Sequence, residues 1–103
     1  MAISREDKLK SLFKKLTADF LKNELDTNSL VTVTEIVLSR SGNDALALVS
    51  VFPEKAEDEV LKMLKQKEKK LRKFYASETR MKVIPRVEFK IDKGEKNRQR
   101  IEE

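Results

Sequence analysis

Residues 65–73 read KQKEKKLRK, seven charged side chains in nine, with Leu71 the one apolar member. The chemistry open to such a run is recognition of anions, above all phosphates. Lys and Arg neutralise phosphate charge and release counterions, with little direct reading of bases. Glu68 is the only acid between residues 60 and 77, so the run lacks the mixed signs of a salt-bridged helix surface. A solvated face kept soluble by charge is the ordinary alternative. The candidate phosphate-contacting residues in the run are Lys65, Lys67, Lys69, Lys70, Arg72 and Lys73. Arg80, Lys82 and Arg86 (with Lys90) are expected on the outward face of the last strand, where basic side chains also serve to defend an edge. Lys14 and Lys15 form a further basic pair on the first helix. Phe74 and Tyr75 could stack bases, but their helical phase is that of a core.

Other chemistries have little to work with. The chain has no His and no Cys, which removes the commonest general base and metal ligand and any thiol nucleophile. Carboxylate pairs such as Glu57/Asp58 and Glu102/Glu103 stand in charge-rich stretches with nothing to shift a pKa. The expectation is a protein with no catalytic residue, metal, cofactor or small-molecule substrate. No stretch is long and apolar enough to span a bilayer and no secretory-type leader is visible, so a cytoplasmic protein without a membrane partner is expected.

At 103 residues, 39% apolar and 40% charged, the chain can form one domain with a thin core. Lys and Arg outnumber Asp and Glu by 23 to 18, a net charge of +5. That balance favours an acidic partner.

The elements that must position the basic run follow from periodicity. Leu9, Leu12, Phe13, Leu16 and Phe20 form one stripe of a helix starting near Ser4, which with Asp7 resembles a capping box. VTVTEIVLS reads as a strand whose alternation changes phase near Thr34 and Glu35, as a bulge on an edge strand would make it do. ALALVSVF, residues 45–52, is apolar on both sides except at Ser50 and belongs in the centre of a sheet. Pro53 closes it. Val60, Met63, Leu64, Leu71, Phe74 and Tyr75 then keep one helical phase, with Lys62, Lys65, Lys69 and Lys73 opposite. MKVIPRVEFKID predicts a last strand with Met81, Val83, Val87, Phe89 and Ile91 on one face, either an edge strand or one bulged at Pro85, which cannot donate to a ladder. A short strand-to-strand link makes an antiparallel pair, and a strand, long helix, strand unit makes a parallel one. The prediction is an α+β fold, a three-stranded mixed sheet with helices packed on one face.

The order αββαβ resembles a type II KH domain. VTVTEIVLS, the all-apolar strand ending in SVF, and MKVIPRVEF followed by Asp resemble the ribosome-binding factor A family over most of residues 5–103, with Arg100 and Ile101 among acids after the last strand. The resemblance implies a type II KH-like αββα(kink)αβ domain over residues 1–92 and a short charged tail over 93–103. It also implies a bacterial, non-enzymatic and monomeric factor that binds the free small (30S) ribosomal subunit and its 16S rRNA. Such a factor assists late maturation and 5′-end processing. The alternative is a small basic module that binds an acidic protein or dimerises through an edge strand.

Two departures stand out. With only Gly42 and Gly94, no Gly-x-x-Gly clamp of the ordinary KH kind can be built. The family's helix-kinking Ala-x-Gly aligns with Lys67, Glu68 and Lys69. Lys67 and Glu68 would sit at core phase in a straight helix, so a bend there is expected.

Overall fold

The computed structural model describes residues 4–94; residues 95–103 of the expected tail lie outside the described residues. Ser4 Oγ accepts a 3.1 Å bond from the Asp7 N–H and opens α1 (Arg5–Glu24) where expected. The bond satisfies one of the donors that a helix start leaves unpaired. Phe13, Leu16 and Phe20 are buried as the stripe predicts, joined by Leu21 and Thr17. Leu12 is the exception, 38% exposed, because the inward arc is rotated toward Thr17 and Leu21. Thr17 is tolerated there because its hydroxyl donates to the Phe13 carbonyl at 2.6 Å and lies 2.5 Å from the Tyr75 hydroxyl. With its one proton spent on Phe13, Thr17 is the acceptor and Tyr75 the donor.

β1 (Leu30–Leu38) and β2 (Asp44–Phe52) pair antiparallel. The register runs Val33 to Val49 and then Glu35 to Leu48, so Thr34 is the extra residue of a bulge. This returns Ile36 and Leu38 to the side of Val31 and Val33, and all four meet the core. The link between the strands turns at Gly42, whose φ of +76° suits a residue without Cβ.

A short 3-10 turn (Glu54–Ala56) leads into α2 (Glu57–Gln66) and α3 (Glu68–Glu78), and β3 (Arg86–Ile91) closes the fold. β3 pairs parallel with β2, from Asp44–Arg86 to Val49–Ile91. The sheet order is β1-β2-β3, with the two-sided apolar strand in the centre. Ala45, Ala47, Val49 and Val51 are buried on the helix side. Leu46 and Leu48 on the other side are only half-buried, and Leu30 and Phe52 are 66% and 72% exposed. The architecture is the expected α+β, type II KH-like one.

The last strand is shorter than its alternation suggests. It starts only after Pro85, so residues 81–85 are not strand, and Val83 is 52% exposed. The ladder begins at Arg86 because its partner strand begins at Asp44, and Pro85, whose ring nitrogen carries no N–H, offers no donor at the outer edge just before it. Arg80 and Lys82 therefore stand on the α3–β3 connection and not on the strand's outward face, which Arg86, Glu88 and Lys90 do occupy.

Candidate nucleic-acid interface

The crossover helix breaks at Lys67, as its phase demands. Lys67 has φ −97° and ψ −2°; its N–H donates to the Leu64 carbonyl at 2.9 Å, and its own carbonyl accepts from Leu71 at 2.9 Å. One tightened turn ends α2 and the next residue begins α3. Because φ is negative, no glycine is needed. Val60, Leu64, Leu71 and Tyr75 still reach the core on both sides of the break, while the half-buried Lys67 stem leaves it.

Glu68, the lone acid of the run, accepts a 2.9 Å bond on Oε2 from the Phe89 N–H. Lys65 donates to the Phe89 carbonyl at 3.2 Å and lies 3.8 Å from Glu68. Arg72 donates to the Ile84 carbonyl through Nε at 3.2 Å and Nη2 at 3.0 Å. The outer edge of β3 and the segment before it are thus tied to the helical elbow by three of the run's charged side chains. Edges left open invite pairing with other chains; among the described residues no side chain caps the outer edge of β1.

The other side of the elbow is held by α1. α1 and α3 run antiparallel: Phe13 and Thr17 meet Tyr75, Phe20 meets Phe74, and Glu24 meets Lys70 and Lys67. Glu24 Oε2 accepts from Lys70 at 2.8 Å and lies 3.7 Å from Lys67. The Lys70 hydrogen bond holds the Glu24 carboxyl below its ordinary value, against partial desolvation, with the charges of Lys70 and Lys67 adding to it.

The eleven candidate residues therefore separate. Lys65 and Arg72 bind backbone carbonyls, and Lys67 and Lys70 share one carboxylate. Lys69 and Lys73, one turn apart on α3, are exposed and have no hydrogen-bond or ion-pair partner among the described residues. Lys14, Lys15, Arg80, Lys82 and Arg86 are likewise exposed, their side chains without such partners among the described residues. Lys14 and Lys15 lie on α1 and Arg86 on the open sheet face, so the structure does not gather all eleven into one cluster. Sequence reasoning missed Glu24. A carboxylate in the last turn of a helix opposes the helix dipole, and that local misfit was the available signal of a tertiary cation.

The sequence model of a family described as ribosome-binding factor A matches residues 5–103. Ribosome-binding factor A of Christiangramia forsetii is 30% identical over 95 residues, 86% of this chain and 72% of the relative. The crystal structure of ribosome-binding factor A from Thermus thermophilus superposes with a TM-score of 0.73 at 29% identity, covering 82% of this chain and 92% of the other. A homology model of the Thermus thermophilus factor, fitted into a cryo-electron-microscopy map of its complex with 30S, has a TM-score of 0.72 at 29% identity, covering 84% and 93%.

Proposed function

The chain belongs to the ribosome-binding factor A family, and from that premise we propose that it binds the free small ribosomal subunit through 16S rRNA and assists late maturation, including 5′-end processing. It does so as a cytoplasmic monomer. The observation that carries the reading is the basic elbow around Lys67; in support, a similar fold, the Thermus thermophilus factor, has been fitted into a map of its complex with 30S. Lys69 and Lys73 carry positive charge that nothing among the described residues neutralises, and Lys67 and Lys70 share a single carboxylate. Phosphate neutralisation by these side chains gives salt-dependent binding, with specificity drawn from the shape of folded RNA.

A sucrose gradient tests it. The protein should migrate with free small subunits and be absent from assembled ribosomes, and cells depleted of it should accumulate 5′-extended 16S precursor. Cosedimentation that survives ribonuclease digestion would instead favour the protein-partner reading, for which the uncapped outer edge of β1 offers a strand-addition site.

A further inference from the structure

Between α1 and α3 lies an open pocket of about 400 Å³ lined by Phe20, Asn23, Lys73, Phe74 and Ser77 together with the Glu24–Lys70 pair. Its chemistry differs from the phosphate-binding stripe next to it. Phe74 is half-buried, its ring backed by Phe20 at a centroid distance of 5.7 Å and a 44° tilt, so an aromatic wall is rigidly supported yet reachable. Lys73 supplies a cation with no partner among the described residues. Asn23 spends its amide nitrogen on the Asp19 carbonyl at 3.2 Å, which leaves its side-chain oxygen to accept from the edge of a ligand.

An aromatic face, a hydrogen-bond acceptor and a cation at one rim match the three parts of a nucleotide that has left its stack. Single-stranded RNA is held in this way, by stacking on aromatic side chains with lysines tracking the backbone. A protein side chain could fill an apolar hollow, but the Glu24, Lys67, Lys70 and Lys73 group carries a net charge of about +2 by simple valence, and the pocket continues the Lys69 and Lys73 stripe. We propose that this pocket takes one unstacked nucleobase of single-stranded RNA against Phe74, with the neighbouring phosphate on Lys73. The inference rests on the RNA-binding reading above and adds to it a subsite that tells single strands from duplex.

Binding of the full chain to a labelled single-stranded RNA and to a duplex of the same sequence, each over a salt series, separates the possibilities. Phe74→Leu keeps an apolar side chain but removes the flat ring. Ser77→Leu plugs the pocket from an exposed helix position and leaves the core alone. Each should weaken single-strand binding about tenfold, with duplex affinity and the salt slope unchanged. Lys73→Gln should lower the slope by about one for both RNAs. If the wild type binds RNA and both pocket variants match it on the single strand, or lose equally on duplex, the nucleobase assignment falls and the RNA reading stands. If the wild type binds neither RNA while still sedimenting with small subunits after ribonuclease treatment, both fall.

Discussion

Glu68 and Phe89, 21 residues apart, are joined by a 2.9 Å bond from the Phe89 backbone N–H to the Glu68 carboxylate, at the outer edge of β3 where a fourth strand would otherwise pair. In the place where relatives are expected to kink with Ala-x-Gly, this chain pins the elbow with a side chain. Glu68→Ala should remove the acceptor of a buried donor and an acid from the first turn of α3. A loss of about 1–2 kcal/mol in urea unfolding is expected, with Glu68→Gln milder because its amide oxygen still accepts.

The backbone at Lys67 leads to a counter-intuitive expectation. Since φ there is −97°, glycine relieves no strain and adds unfolded-state entropy. Lys67→Gly, although it brings a glycine into the kink segment (the family's own glycine aligns with Lys69), should lower stability by about 0.5–1 kcal/mol in the same measurement.

Charges within the basic run should divide by what they hold. Lys69→Ala should leave the melting temperature unchanged and weaken small-subunit association with a shallower salt slope. Arg72→Ala, which frees the Ile84 carbonyl, should instead lower stability by about 1 kcal/mol. Paired melting and cosedimentation measurements on the two variants check the division.

Glu24 both anchors the elbow and competes with phosphate for Lys67 and Lys70. Its carboxyl is held below the ordinary value, chiefly by the Lys70 hydrogen bond, so its contribution to stability is present above the unfolded-state pKa and is lost as pH falls through the folded one. Glu24→Gln should therefore lose part of the wild-type fall in stability below about pH 4.5 and bind RNA a few-fold more tightly at neutral pH and low salt. Acid titration of unfolding and RNA affinity read the two effects separately.

Tyr75 sets the alkaline limit. Burial pushes its hydroxyl from 10 up to about 12, against a smaller opposing effect of Thr17. A pKa raised in the folded state means that the stabilisation is complete below about pH 10 and is lost as pH rises towards 12, about 2–3 kcal/mol in all. Tyr75→Phe should cost about 1 kcal/mol at pH 8, by leaving Thr17 without its donor. Its deficit should shrink or reverse by pH 11.5. A constant deficit across the range would contradict the burial assignment.

Much of the fold was legible in the residues because it rests on local periodicity. The phase change at Thr34 revealed the bulge, the two-sided apolar run placed β2 in the centre, and Lys67 at core phase marked the helix break. The register of β3 was less legible: alternation begins at Met81, but pairing begins only at Arg86, opposite the start of β2 at Asp44, so Arg80 and Lys82 moved off the strand. Leu12 and Thr17 exchanged places because a shift of one helical position is decided by what packs opposite.

The element order, the break in the crossover helix and the concentration of positive charge around it are set locally along the chain, since each depends on neighbours within a few residues. Which of those charges remain available depends on how distant elements pack. Glu24, Glu68, Phe89 and Ile84 are distant in the chain from the lysines and arginine they engage, or gain their partners only when β3 docks. Pairing across the fold is set by where backbones meet, and no charge pattern along the chain encodes that Lys65 and Arg72 hold an edge while Lys69 and Lys73 face outward.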